Sequence, residues 1–331
     1  MRTFTISGTL RALALGILII VGSTAVAQIN VVNASVDATA ARHSHHADRA
    51  MMLAAANAGT RIVAVGANGY VILSDDGGVN YRQARQVPVN FTLTSVSFSD
   101  AHNGWAVGHA GTVIHTNDGG ENWTLQRLDM KVDQPLYSVY FRDPQTGWAA
   151  GLWSLLIHTT DGGKTWEKVR LPVAEGQKRA DLNLLKIFGG VDQAMYIAAE
   201  QGTLFRSGDN GEHWQVTKTG SNASLWAGTV TAAKTLIVGG LGGKLLRSTD
   251  NGDTWQALES HTTGSITDLK MFGDSIAATS LEGDVLQSGD DGKNWRVVST
   301  ARLPLTGMVG ANDTKLLVYS KEGPIALLPK N

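Results

Sequence analysis

Hydrophobic and polar positions alternate along this chain in short bursts separated by glycine-rich turns. Residues Leu93-Thr94-Ser95-Val96-Ser97-Phe98 alternate with period two, which predicts a strand with one buried face. Gly104-Trp105-Ala106-Val107-Gly108 is a short apolar run that predicts a fully buried strand, residues 111–116 predict a third, and Trp123 onward supplies a fourth. Equivalent second strands are expected at residues 62–66, 147–151, 195–199, 236–239 and 275–279. No long helical period appears beyond the N-terminal segment, so the fold class is all-β.

These strands belong to a repeat. An octapeptide of the form Ser/Thr-x-Asp-x-Gly-x-x-aromatic occurs six times, from Ser74-Asp75-Asp76-Gly77-Gly78-Val79-Asn80-Tyr81 to the box that closes on Trp295. Its aspartates are Asp76, Asp118, Asp161, Asp209, Asp250 and Asp290, at spacings of 42, 43, 48, 41 and 40 residues. A period in the low forties with four short strands per unit is the signature of a β-propeller. The residue after each aspartate is Gly, Asn or Asp and the next is always Gly, so each box reads as a tight turn needing positive φ. The aspartate accepts turn amides, and the closing aromatic gives the hairpin an apolar plate to bury. The boxes are therefore expected to hold the fold and to carry no chemistry.

Six boxes do not set six blades. Residues 305–310, 315–319 and 324–328 predict three strands of a seventh unit without a box. An N-terminal segment, residues 28–48, is expected to supply its fourth strand through Ile29-Asn30-Val31-Val32 or the stretch just beyond, closing the ring and removing free sheet edges. The expectation is a single propeller of seven four-stranded blades over residues 49–331, six with boxes, with six or eight blades as alternatives.

Composition narrows the function. Met1-Arg2, the apolar run 12–21 and Ala25-Val26-Ala27 predict a signal peptide over residues 1–27 and export, with the periplasm as first choice and a lumenal or secreted location as alternatives. The chain has no Cys, so disulfides, thiolate metal sites and cysteine nucleophiles are excluded. A formal net charge of −1 gives no reason to expect nucleic acid. His43-Ser44-His45-His46 offers no fourth ligand, so no metal and no other cofactor is expected.

The boxes, with Gly104-Trp105-Ala106-Val107-Gly108 and Thr116-Asn117-Asp118-Gly119-Gly120-Glu121-Asn122-Trp123, resemble the Asp-box (BNR) repeats of the photosystem II stability/assembly factor family of plants and cyanobacteria. The resemblance implies a non-catalytic propeller, here monomeric, that binds a membrane or envelope protein during assembly. Sialidases, other glycosidases and sortilin-type receptors also use Asp boxes, which leaves a glycoside hydrolase and a glycan- or ligand-binding module as alternatives.

Candidate contacts fall into two groups. His109, Trp153, Glu200, Gln201, Glu282, Lys321 and Glu322 occupy equivalent turns between second and third strands, on the usual ligand side of a propeller. Trp153 stands out, because an aromatic in a turn needs burial or a partner. A hydrolase would draw on Glu200, Glu282 and Glu322; the sialidase arginine context is missing around Arg61. Three residues before each box aspartate stand Leu73, His115, His158, Arg206, Arg247 and Gln287, which predicts a partly basic arc. The connection over residues 171–181 accounts for the longest spacing, and its polar tip is a candidate partner loop.

Overall fold

The protein is described by a computed structural model over residues 38–173, 178–190, 192–312 and 314–325. Seven antiparallel sheets follow one another along the chain, six of four strands and a seventh with three among the described residues. The innermost strands are Met52–Ala58, Leu93–Phe98, Leu136–Phe141, Leu184–Gly189, Leu225–Val230, Ile266–Phe272 and Leu305–Gly310. Each packs against the next, and Leu305–Gly310 packs back on Met52–Ala58, so the seven blades close into a propeller. The all-β expectation and the seven-blade count hold.

The strands predicted at 93–98, 104–108, 147–151 and 195–199 are observed with those bounds. The third strand of the seventh blade is Gly323–Ile325, and the remainder of 324–328 lies outside the described residues. The leader over residues 1–27 and the segment Ile29–Val32 also lie outside them. The described part of the N-terminal segment, residues 38–48, forms no strand; it lies along the outer edge of blade 1, where Ala41 N–H donates to Val87 O at 3.0 Å and Ser44 N–H to Gln83 Oε1 at 2.9 Å.

Buried apolar residues fall into seven clusters, and each straddles one interface between neighbouring blades. The box aromatic of each blade is a plate in the cluster it shares with the preceding blade, as Trp123 is with Val63 and Leu73. Its glycine is bound to the same interface. Gly211 has φ 78°, and a Cβ there would sit 2.7 Å from Trp148 Nε1 of the blade before. The box is thus a tight turn and an inter-blade socket at once.

In every box the aspartate works as the turn demands. Asp118 Oδ1 accepts Glu121 N–H and Asn122 N–H, each at 3.0 Å, and the Thr116 hydroxyl at 2.8 Å. Hydrogen bonds from the residue four positions on, Asn80, His213, Thr254 and Asn294, lead in holding Asp76, Asp209, Asp250 and Asp290 at a pKa of about 2.

Blade 7 has no box, so its interface with blade 6 lacks the plate, and that cluster contains the fewest buried residues. Charged groups on the innermost strands add bonds across it. Lys270 of blade 6 donates to Met308 O of blade 7 and to Ala55 O of blade 1, both at 2.7 Å, while Asp268 accepts Met308 N–H at 3.2 Å. Lys270 Nζ is 3.5 Å from Asp268, and burial holds the amine below the ordinary lysine range. One ammonium ties three blades.

Two outcomes are expected. Lys270→Met leaves two carbonyls without their donor and Asp268 with Lys186 alone, 4.0 Å away, and destabilises the ring by about 2–3 kcal/mol, read by chemical denaturation. Because the box carboxylates titrate lower in the folded than in the unfolded chain, their contribution is complete above the unfolded value of about 4 and is lost as pH falls toward about 2. An acid titration followed by circular dichroism is flat above that window and falls steeply within it.

Candidate functional site

Antiparallel order sends the boxes and the first-to-second turns to one face, the box face, and the second-to-third turns and blade-to-blade connections to the other, the loop face. His109, Trp153, Glu200, Gln201, Glu282, Lys321 and Glu322 therefore share the loop face. Arg206 and Arg247 lie toward the box face.

The second-to-third turns carry a left-handed pair in five successive blades: Asn68-Gly69, Ala110-Gly111, Trp153-Ser154, Gln201-Gly202 and Gly242-Gly243. Glycine at the second position is forced wherever a carbonyl of the following connection crosses it. A Cβ on Gly69 would lie 2.0 Å from Val89 O, on Gly202 1.7 Å from Ser221 O, and on Gly243 2.1 Å from Thr262 O. Blade 3 alone of these five has no glycine. Its long connection to blade 4 leaves room for Ser154, whose hydroxyl donates to Leu182 O at 3.1 Å while its N–H donates to the same oxygen at 2.7 Å.

The first residue of that pair is Trp153, at φ 52° and ψ 51° and 57% exposed. A bulky side chain in the left-handed region costs about 1–2 kcal/mol, and the indole regains only part of that by partial burial. A relay holds it there. Glu200 accepts Asn183 N–H at 2.9 Å and Asn183 Nδ2 at 2.8 Å, which aims Asn183 Oδ1 at Trp153 N–H, 3.1 Å away. Tyr137 stands beside this relay, its hydroxyl pKa raised by burial and then by the charge of Glu200.

Sequence reading missed a second feature. Every innermost strand has a register break at its loop-face end, which singles out Leu53, Thr94, Tyr137, Leu185, Trp226, Thr267 and Thr306 at one level round the ring. The threonines are used inside the fold: Thr94 donates to Leu136 O at 2.7 Å, and Thr306 donates to Met52 O. Leu53, Tyr137, Leu185 and Trp226 present large half-exposed side chains at the same level. Only strand pairing reveals them, because a bulge leaves no local sequence mark in these strands.

The other predicted residues are placed as follows. His109, Gln201, Glu282 and Lys321 are exposed in their turns, and Glu282 accepts the Thr263 hydroxyl at 2.7 Å. Arg206 and Arg247 are engaged with the next blade's box: Arg206 donates to Asn251 O at 3.1 Å and pairs with Asp253, and Arg247 donates to Asp291 O at 2.9 Å and pairs with its carboxylate at 2.7 Å. His115 packs tilted against Trp105 and His158 stacks on Trp148, with centroids 4.8 and 4.7 Å apart, and burial lowers both pKa values. The two arginines of the arc are thus inter-blade fastenings, while its two histidines pack within their own blades. Glu200, Glu282 and Glu322 stand in blades 4, 6 and 7, and the first two already accept hydrogen bonds from their own neighbourhoods.

Among the described residues one cluster has metal-ligating types, Asp209, Glu212 and His213. It belongs to the blade 4 box, where Asp209 already accepts Ser207, the His213 amide and His213 Nδ1. Such a group is an occupied turn.

With that geometry in view, comparison with known proteins is informative. Residues 83–174 match the family model for the photosynthesis system II assembly factor YCF48. The photosystem II assembly lipoprotein Ycf48 of Synechococcus sp. (strain CC9902) is 38% identical over 71 residues, 20% of this chain and 21% of that protein. The photosystem II assembly protein Ycf48 of Thermosynechococcus vestitus is 44% identical over 41 residues, 12% of each. The matches thus span about a fifth or less of those relatives' lengths. A solved structure titled YCF48 bound to D1 peptide superposes with TM-score 0.69 at 19% identity, over 86% of this chain and 95% of that one. YCF48 from Cyanidioschyzon merolae gives 0.68 at 17%, over 87% and 98%, and a streptogramin B lyase gives 0.69 at 15%, over 88% and 97%. These structural likenesses show a shared fold.

Replacing Trp153 by Asn, which tolerates the left-handed turn as Asn68 does, is expected to leave unfolding free energy within about 1 kcal/mol of the parent, because lost burial is offset by relieved strain. Asn183→Ala removes the cap and costs about 1–2 kcal/mol. Thermal melts of the two variants check both.

Proposed function

We propose that this chain, an Asp-box β-propeller similar to the photosystem II assembly factors, is a non-catalytic exported scaffold that holds a segment of a membrane or envelope protein on its loop face. The observation that carries the reading is Trp153. A fold that could use glycine or asparagine at that turn instead holds an exposed tryptophan in a strained conformation through a charged relay. Strain kept by surrounding structure, at a position of no use to the core, points to a contact made outside the chain.

Several features support a peptide-like client. Tyr137 and Leu185 stand half-exposed in the same sector as Trp153, and Trp226 and Leu53 continue the level round the ring. Aromatic anchors of this kind dominate binding energy where they are desolvated. The similar YCF48 structure holds a D1 peptide, which favours the same class of occupant here. His109, Gln201, Glu282 and Lys321 supply a polar rim to the face, and Arg206 and Arg247 act indirectly, by fixing blades. Export to the periplasm, and action as a monomer, belong to this reading.

The test is affinity capture with the compact unit Val32–Asn331 from detergent-solubilised envelopes of the host, beside the Trp153→Asn and Asp161→Ala variants and a glycosidase substrate screen. The parent is expected to enrich one membrane protein and Trp153→Asn to lose it, while Asp161→Ala retains it at temperatures where it is folded. Hydrolysis without an enriched partner overturns the reading in favour of Glu200, Glu282 and Glu322.

A further inference from the structure

One position repeats round the channel that the inner strands enclose. In three blades the residue just past the register break caps an amide that the next inner strand turns toward the channel. Ser95 Oγ accepts Val139 N–H at 3.2 Å, Ser138 Oγ accepts Ile187 N–H at 3.1 Å, and Asp268 Oδ2 accepts Met308 N–H at 3.2 Å. An acceptor at this position thus satisfies part of the free inner edge of the neighbouring blade. Blades 1, 5 and 7 have Ala54, Ala227 and Gly307 there, which fill little of the channel at that level.

Blade 4 inverts the pattern. Its residue is Lys186, which can only donate, and strand register makes Gly228 N–H the amide it would cap. Among the described residues no side chain accepts that N–H. Lys186 instead reaches along the inner edge of blade 5 toward blade 6, and its Nζ stops 4.0 Å from Asp268, beyond hydrogen-bond reach. The seven inner strands carry three charged residues, Lys186, Asp268 and Lys270. Lys270 is engaged by Ala55 O and Met308 O and stands 3.5 Å from Asp268, so one carboxylate serves two ammonium groups and one positive charge is left over. The Lys186 side chain is 28% exposed, so solvent reaches that charge. A confined space with low-dielectric walls and charge of one sign concentrates counter-ions.

We propose that the channel holds a small monovalent anion, a halide or a carboxylate, between the Lys186 ammonium and Gly228 N–H. The anion supplies the acceptor that this position has in blades 2, 3 and 6, and it offsets the surplus charge. Its charge-assisted bonds link blade 4 to blade 5 as Asp268 links blade 6 to blade 7. The site lies just inside the loop-face mouth, one residue past Leu185, and it stands whatever the loop face holds.

Chloride NMR of the purified protein tests the proposal, beside crystals soaked in bromide. The parent is expected to broaden the chloride line saturably, to lose that broadening as acetate is added, and to show anomalous bromide density between Lys186 and Gly228. Lys186→Met is expected to weaken chloride binding about tenfold or more, the worth of a hydrogen bond to a charged group, while Lys186→Arg retains it. Lys131→Met, in the connection after blade 2, leaves binding unchanged. Melting temperatures of all variants are recorded, so loss of fold is seen separately. A parent line that never broadens overturns the proposal, and so does broadening that survives Lys186→Met in a folded variant. Chloride that acetate cannot displace overturns the carboxylate assignment. Bromide in the crystal without saturable broadening in solution marks binding at crystal concentration only and overturns the proposal as well.

Discussion

A closed ring has as many interfaces as blades, and it stays closed only if each of them holds. Six of the seven interfaces here are filled by a box aromatic, with a left-handed glycine backed onto the preceding blade and an aspartate that saturates the turn amides. The interface between blades 6 and 7 has no box aromatic and a smaller apolar cluster, to which Lys270 and Asp268 add hydrogen bonds. A cation on the innermost strand, bonded to carbonyls of two blades, supplements that smaller cluster. That interface thus has less nondirectional contact and a few directional bonds beside it, and it concentrates the ring's tolerance for error at one place.

The same economy of turns explains the candidate site. Three of the five left-handed turns are crossed so closely by a carbonyl of the next connection that nothing larger than glycine fits at their second position, and at a fourth the Arg127 guanidinium fills the space beside Gly111. The longer link between blades 3 and 4 lifts that restriction, and the chain uses the space for Ser154 and for an exposed Trp153. A local irregularity in the repeat, the 48-residue spacing, thus accounts for the serine that stands beside the exposed Trp153 where other blades have glycine.

Much of this was legible in the sequence. Box spacing gave the repeat, period-two alternation gave the strands, and Trp153 was conspicuous because a turn is a poor place for an aromatic. Two things were not legible, for different reasons. Arg206 and Arg247 read as a basic arc because a sequence lists charges without their partners, and both partners, Asp253 and Asp291, come from the following blade. The level formed by Tyr137, Leu185 and Trp226 depends on register breaks that appear only when strands are paired. Fold was readable because it repeats; the site was only partly readable because it is where the repeat departs from itself.

The charged groups inside the ring bear on how such a molecule changes over time. Lys186 Nζ stands 4.0 Å from Asp268, two blades away, and Lys270 fills the neighbouring level, so side chains cross the space that the seven inner strands enclose. The ring is bolted through its middle. With its middle held by these contacts, the ring closes through its inner strands and boxes, and side chains at the loop tips can differ without altering how it closes.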